Sequence, residues 1–432
     1  MSFASLGLSA PLLKAVQDQG FETPSPIQAQ AIPAALSGRD VMAAAQTGTG
    51  KTAGFTLPLL EKLSQGKPAR SGHVRALILT PTRELAAQVS DSVVSCGRHL
   101  RLSSAVVFGG TPIRPQITRL RRGTDILVAT PGRLLDLYQQ NAMRFDRLEV
   151  LVMDEADRML DMGFIHDIRR IIGLLPESRQ NLMFSATFSD AVRKLARSLV
   201  KDPLEIAVEP KQVTTDAVEQ WVTPVDRKQK SALLSRLIND NQWDQVLVFT
   251  RTRHGADRLA EFLDDEGIKA EAIHGNKTQG MRRRTLNGFK KGKVRILVAT
   301  DIAARGIDIQ DLPQVVNFDL PDQPEDYVHR IGRTGRGGAT GQAMSLVSAD
   351  EFRQLSAIER LIRQTLPRRP VEGFEPTRAI PKAGPKGDKR NTRGRKRPGG
   401  SGGGQRAQGE RRRQRLGNSN GGGQQQKSRR TG

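Results

Sequence analysis

The 432-residue chain has a single cysteine, Cys96. That excludes an internal disulfide and a cysteine cluster for zinc, and makes a reducing compartment the simplest home; Cys96 itself reads as a small buried residue. Long hydrophobic runs are missing as well. No segment carries the roughly 18 consecutive apolar residues that span a bilayer. The amino terminus, MSFASLGLSA, has no Lys or Arg before Lys14 and no apolar core of roughly 7 to 15 residues, so it does not read as a signal peptide. Acid is in short supply: 45 Asp and Glu stand against 68 Lys and Arg, a net charge of +23. Such a surplus favours polyanionic partners, nucleic acid ahead of anionic lipid. With 37% hydrophobic residues and 42 glycines, the chain is neither collagenous nor wholly disordered, and its length gives room for two or three domains. A soluble, intracellular protein is the expectation.

The charge is unevenly placed. Residues 381–432 hold 16 Lys or Arg against Asp388 and Glu410, so +14 of the +23 lies there. The same stretch has 14 glycines, one leucine (Leu416) and no aromatic residue. It cannot bury enough apolar area to offset the entropy of ordering. A disordered basic tail, set at 371–432, is therefore expected, with clusters such as Arg411/Arg412/Arg413/Arg415 suited to sequence-tolerant phosphate contact.

Before the tail, short β-branched runs alternate with stretches of helical period, the pattern of parallel α/β sheets. Candidate strands are 41–45, 76–80, 105–108, 126–129, 150–153 and 181–185, then 246–250, 270–273, 296–299, 315–318 and 341–347. The two sets look like copies: 76–83 (ALILTPTR) aligns with 246–253 (VLVFTRTR), and ILVAT at 126–130 recurs at 296–300, both at an offset of 170. A duplicated α/β domain follows, as 1–205, a joining segment at 206–220 and 221–370. Within the second copy, Phe352, Leu355, Ile358, Leu361, Ile362 and Leu366 space a helix over 350–367. Trp221 and Trp243 read as core or edge packing, and His274 as a turn residue without metal partners. Ligands of such sheets sit at the carboxyl ends of the strands.

Two constellations there carry chemistry. In Ala45-Gln46-Thr47-Gly48-Thr49-Gly50-Lys51-Thr52, a strand, a glycine loop and a helix follow in order. Glycines let backbone N–H groups curl around phosphates, and the helix amino terminus favours the anion. Lys51 would reach the β- and γ-phosphates and Thr52 would ligate Mg²⁺, although Ala45 stands where the strict pattern has glycine. About 100 residues on, the apolar run 151–153 ends in Asp154, Glu155, Ala156 and Asp157. Acids crowded at a strand end repel one another unless a cation is present. Asp154 would share the Mg²⁺, and Glu155 would orient or deprotonate the attacking water.

These residues spell Asp-Glu-Ala-Asp, and the chain resembles the DEAD-box RNA helicases, nearest the bacterial RhlE-like group, over about residues 3 to 368. The resemblance implies two tandem RecA-like parallel-sheet domains of the superfamily 2 helicase core, with ATP and Mg²⁺ as cofactors. It makes Gln28 and Phe21, with Phe3 upstream, the adenine-reading residues, and adds Gln46, Thr47, Gly48, Thr49 and Gly50 to the nucleotide loop. It assigns Ser185 and Thr187, with Asp157, to coupling of hydrolysis to duplex opening. The implied RNA-facing residues are Pro81, Thr82, Arg83, Gly110, Thr130, Pro131, Gly132 and Arg133 in the first lobe, and Thr250, Arg251, Gln279, Arg282, Thr300 and Asp301 in the second. Arg333 and Arg336 become arginine fingers, Asp308 the ribose contact, and His329 a link from nucleotide to acidic motif.

The second copy carries arginines but no phosphate loop of its own. A complete ATPase site would then form only when the lobes close, with ATP and single-stranded RNA each favouring closure. Sequence does not separate RNA from DNA; RNA comes from the resemblance. A DNA-directed translocase of the same architecture and an ATP-switched RNA clamp or scaffold are the rivals. A cytoplasmic monomer working with ribosome-assembly or RNA-decay proteins is the family expectation.

Overall fold

The computed structural model describes residues 2–45, 48–208, 218–304, 309, 312–335 and 341–381. Two parallel sheets form the frame. The first has seven strands: β1 Val41–Ala44, β2 Val74–Leu79, β3 Ser104–Val107, β4 Thr124–Ala129, β5 Val150–Met153, β6 Gln180–Ser185 and β7 Leu204–Ala207, in the order β3-β4-β2-β5-β6-β1-β7. The second has six: β8 Val218–Pro224, β9 Val246–Thr250, β10 Ala270–Ile273, β11 Ile296–Thr300, β12 Gln314–Asn317 and β13 Gly341–Val347, in the order β10-β11-β9-β12-β13-β8. Matching β1 to β8 and continuing in sequence, the order of the first six strands is the same in both sheets. The repeat at offset 170 is thus a repeat of topology.

Parallel strands need crossover helices, which cover both faces and bury the strands on each side. Strand β2 shows the result: Ala76 and Ile78 enter one apolar cluster with Ile27, Phe55 and Leu59, while Leu77 and Leu79 enter the opposite one with Leu151, Met159 and Ile168. All are buried, each large side chain contributing about 1.5–3 kcal/mol relative to exposure. Phe55 and Phe184 meet at 5.2 Å between ring centres, tying the helix Lys51–Ser64 to β6. Cys96 is buried in this first core, where loss of solvation pushes its thiol up.

Strands β7 and β8 are the two that hydrophobic runs did not announce. Neither carries an unbroken apolar run: Glu205 interrupts the four residues Leu-Glu-Ile-Ala, and Val-Glu-Gln-Trp-Val-Thr-Pro mixes polar residues with apolar ones. They take up both ends of the stretch assigned to the joining segment; of it, 209–217 lies outside the described residues.

The carboxyl end also packs further than composition implied. The helix is Phe352–Ile362, stopped by Arg363 at φ +55°, and Leu355 and Ile358 sit with Tyr327 and Ile331. The chain then returns to β8, where Val222 donates to the Pro367 carbonyl and accepts from Arg369 N–H at 2.9 and 2.8 Å. Val371 and Phe374 join the Trp221 cluster, and Arg236 lies 5.8 Å from the Phe374 ring centre. The tail boundary expected at 371 therefore falls inside packed structure, because a few apolar side chains anchor an otherwise polar segment; 382–432 lies outside the described residues. Among the described residues no helix is long and apolar enough to cross a membrane.

Candidate nucleotide site and interlobe contacts

Strand β1 lies between β6 and β7, and Ala45 N–H donates to the Ser185 carbonyl at 3.1 Å. Gln46 and Thr47 lie outside the described residues. Gly48 and Gly50 have φ of +84° and +88°, a left-handed conformation glycine adopts without steric cost. At Gly50 the approach is also close: a Cβ would stand 2.4 Å from Gln28 Nε2. The helix Lys51–Ser64 starts there, with Lys51 buried and Thr52 half-buried. Among the described residues, Lys51 Nζ has no hydrogen-bond partner. A buried ammonium without a partner is costly, and beside a helix amino terminus it suits a phosphate.

Gln28 closes the loop from behind. Its Oε1 accepts from Ser25 N–H at 2.9 Å and its Nε2 donates to the Gly50 carbonyl at 3.1 Å. An amide has two donors and two lone pairs, so one of each stays available for a base edge. Phe21 is partly exposed and stacks on buried Phe3, ring centres 6.4 Å apart and planes at 25°. Phe3 thus braces Phe21.

At the end of β5, Asp154 is buried, and its carboxyl is pushed up to about 7. Burial is the main cause; the Lys51 charge opposes it, and Glu155 and Asp157 add to it. A carboxylate held this far from solvent fits a site that receives a cation. Glu155 takes φ +52° and ψ +53°, a strained conformation for a side chain of its kind. Its N–H donates to Asp154 Oδ1 at 3.0 Å. Its carboxylate is ion-paired with Arg158. Asp157 meets the next strand: its Oδ2 accepts from Ala186 N–H at 3.0 Å, Thr187 N–H at 3.1 Å and Thr187 Oγ1 at 3.4 Å, while Ser185 Oγ accepts from Asp157 N–H at 3.3 Å. The three residues assigned to coupling form one network.

From the second lobe come His329, Arg330 and Arg333, on and after the helix Pro324–Ile331. They line a cleft with Phe249, Asp301, Ala304 and Asp326, and Arg158 of the first lobe completes it. Arg333 is buried. Asp308 and Arg336 lie outside the described residues. Arg330, which motif reading passed over, is almost fully buried. It forms a fork with both Asp301 oxygens at 2.6 and 2.7 Å, donates to Asn317 Oδ1 and the Asp319 carbonyl, and lies 4.9 Å from the Phe249 ring centre. Asp301, expected to face RNA, instead spends its carboxylate on Arg330.

The other RNA-facing assignments divide. Thr82 caps the helix Arg83–Cys96, its Oγ1 accepting from Leu85 N–H at 3.2 Å, and Pro81 is buried beside it. The Arg83 guanidinium lies over Gly110, where φ is +78° and a Cβ would stand 2.0 Å from Nη1. Thr130 and Pro131 open the helix Pro131–Gln139, Gly132 has open space around it, and Arg133 donates to the Thr111 carbonyl at 3.2 Å. In the second lobe Thr250 and Thr300 are buried, and Arg251 reaches Asp322 at 3.5 Å and Glu351 at 3.6 Å. Gln279 and Arg282 are buried against Glu84 of the first lobe, each at 3.1 Å. Gln279 Nε2 and Arg282 Nη2 are taken up by this interlobe contact, which spacing along one chain could not announce, while among the described residues Gln279 Oε1 and Arg282 Nε have no hydrogen-bond partner.

The DEAD/DEAH box helicase family matches residues 25–195, and the helicase conserved C-terminal domain matches 229–338. The DEAD-box ATP-dependent RNA helicase CshA of Bacillus cereus (strain ATCC 10987 / NRS 248) is 45% identical over 367 residues, 85% of this chain and 69% of that protein. Among solved structures, a variant of S. cerevisiae Dbp5 bound to RNA and ADP BeF3 is similar with a TM-score of 0.77 at 33% identity, covering 86% of this chain and 96% of that one. The Dbp5 variant bound to Nup159, a Gle1 variant, IP6 and ADP gives 0.58 at 32% identity, covering 85% and 96%. The relatives support the family rather than the RhlE-like subgroup. With its phosphate loop, acidic strand end and arginine cleft on two sheets of one topology, the chain belongs to the DEAD-box ATP-dependent RNA helicase family.

Proposed function

We propose that ATP hydrolysis by this chain is coupled to closure of its two lobes and to local opening of short RNA duplexes. The observation that carries this reading is the division of the nucleotide site: Lys51, Asp154 and Glu155 stand on the first lobe, His329 and Arg333 on the second, across a cleft that Arg158 completes. A site split in this way is whole only when the lobes are together, so a ligand that favours closure favours hydrolysis. The higher similarity to Dbp5 with RNA and ADP BeF3 than to Dbp5 with Nup159, Gle1, IP6 and ADP supports the same reading.

In this scheme the loop 46–52 cradles the ATP phosphates and Lys51 offsets their charge. Gln28 and Phe21 hold the adenine. Thr52 and Asp154 hold Mg²⁺, whose charge would offset the phosphate oxygens and favour the ionised form of Asp154. Glu155 orients the attacking water and accepts its proton. Arg333, with Arg336, stabilises the charge of the transferring phosphoryl group. RNA is held through sugar and phosphate, hence with little regard to sequence, by Arg83, Gly110, Gly132 and Arg133 among others. ATP and RNA then raise each other's affinity. A cytoplasmic monomer serving ribosome assembly or RNA decay fits this chemistry.

The test is steady-state ATP turnover with no nucleic acid, with single-stranded RNA and with matched DNA, alongside Glu155→Gln. Stimulation by RNA alone, abolished in the variant, followed by opening of a short duplex, is the expected result. Equal stimulation by DNA would turn the reading to a translocase. Turnover without duplex opening would leave an RNA clamp, and turnover indifferent to RNA would remove the coupling.

A further inference from the structure

Resting on that ATPase reading, we propose that Arg158 is a positioning residue: it fixes the Glu155 carboxylate only when the second lobe is packed against the first. The ion pair between Arg158 and Glu155 is a local one, spaced i,i+3 about the start of the helix Ala156–Asp161, yet both side chains are about nine-tenths buried. Arg158 is tied to the acidic run a second time, its N–H donating to Asp157 Oδ1 at 2.9 Å. An exposed arginine would sample many rotamers and hold a carboxylate loosely. Residues of the other lobe stand around this one: Arg158 shares its cleft with Phe249, Asp301, Asp326, His329 and Arg333.

The cleft also explains why arginine suits the position. Its planar fork donates in several fixed directions, so one guanidinium can hold Glu155 on its own lobe while facing the carboxylates of Asp301 and Asp326 across the boundary. Asp301 is already engaged by Arg330. Asp326, in the first turn of the helix Pro324–Ile331, lines the same cleft, and it is the acid of the other lobe that this proposal couples to Arg158. Withdrawal of the second lobe removes this wall and returns Arg158 to solvent. Glu155, already held at a strained backbone position, then loses the brace that Arg158 gives it. RNA-driven closure would in this way reach the base as well as the arginine finger.

The experiment uses the full chain. Arg158→Ala, Arg158→Lys, Asp326→Asn and the double variant Arg158→Ala/Asp326→Asn are compared for kcat and KM of ATP turnover, with and without saturating RNA, after melting curves establish folding. Expected for Arg158→Ala is a fall of about tenfold or more in RNA-stimulated kcat, the scale of one charge-assisted hydrogen bond. The KM for ATP should stay within about twofold, and the turnover without RNA should fall less, so the stimulation ratio drops. Lysine should restore part of the loss, and the two single changes should be non-additive in the double variant. Equal falls with and without RNA, or additive effects with Asp326, would show that Arg158 acts inside its own lobe and overturn the proposal. A raised KM with unchanged kcat would make it a binding residue and overturn it too. Absence of RNA stimulation in the parent protein would instead defeat the ATPase coupling on which the proposal rests.

Discussion

Glu84 of the first lobe and Arg282 of the second stand 3.1 Å apart, both buried, with Gln279 on the same carboxylate at 3.1 Å. Glu84 lies in the first turn of the helix Arg83–Cys96, and Gln279 opens the helix Gln279–Lys290. Two helix amino termini thus converge on one carboxylate, which favours the anion from both sides. Removing that charge leaves a buried guanidinium uncompensated, which costs more than the pair itself contributes. Glu84→Gln should therefore weaken the closed arrangement: the gain in RNA affinity produced by a non-hydrolysable ATP analogue should shrink about tenfold or more. Fluorescence anisotropy on a short labelled RNA, with and without the analogue, reads this directly; an unchanged gain would show that the pair does not govern closure.

Gly110 allows a separate test of the RNA face. Its φ of +78° and the Arg83 guanidinium leave no room for a methyl group. Gly110→Ala should displace Arg83 and strain the loop. Because none of the phosphate-loop or acidic residues is touched, ATP affinity should be retained while RNA affinity falls several-fold, roughly the effect of removing one charge-assisted hydrogen bond. Paired titrations with a fluorescent nucleotide and with RNA separate the two; equal losses in both would place Gly110 in the fold's stability rather than in the RNA face.

Much of this was legible in one dimension because parallel sheets write it there. Strands buried on both faces are apolar throughout, as Leu77 to Leu79 and Leu151 to Met153 are, and a duplicated sheet repeats them at a fixed interval. The mixed sequences of β7 and β8 escape the same reading, unlike the edge strands β3 and β10, and so do Val371 and Phe374, which pack with Trp221 about 150 residues away. The site divides likewise. Lys51, Asp154 and Asp157 belong to contiguous motifs, and their chemistry can be read from order alone. Glu84, Arg158 and Arg330 stand beside or outside those motifs, and what they do is set by packing. For Glu84 the partners, Gln279 and Arg282, are in the other lobe, while Arg158 pairs with Glu155 and lines a cleft with residues of the other lobe. Spacing shows the charge; only packing shows what it is paired with.

Asp154 gives a pH dependence with a definite sign. In the folded, metal-free protein its carboxyl is raised from 3.8 to about 7, so the folded state binds the proton more tightly than the unfolded one. That favourable contribution is full below about pH 4 and is lost as pH rises through 7. Above it, an ionised carboxylate sits in a buried place and works against the fold. Asp154→Asn cannot ionise. In chelator and without nucleotide, it should melt a few degrees higher than the parent at pH 8, and the advantage should narrow toward pH 5. Calorimetry across that range decides the matter; a gain that did not grow with pH would mean that Asp154 ionises normally. ATP turnover should be lost at every pH.

A cut after residue 381 keeps every contact among the described residues, including those of Phe374 and of the Thr377 N–H, which donates to Asp226 at 3.1 Å. A truncation at 370, where composition alone would place the boundary, would confound loss of charge with exposure of the Trp221 cluster, against which Val371 and Phe374 pack. Ending the chain at 381 removes 16 Lys and Arg and two acids. Each phosphate that the protein no longer neutralises lowers the slope of log affinity against log salt by about 0.7 for a single strand. The truncated protein should thus bind RNA more weakly at low salt, with a shallower slope and with the KM for ATP unchanged. The gap to the parent should close as salt rises, since screening weakens the same phosphate pairing. An identical slope would mean that the segment does not touch RNA, and its charge would then need another partner.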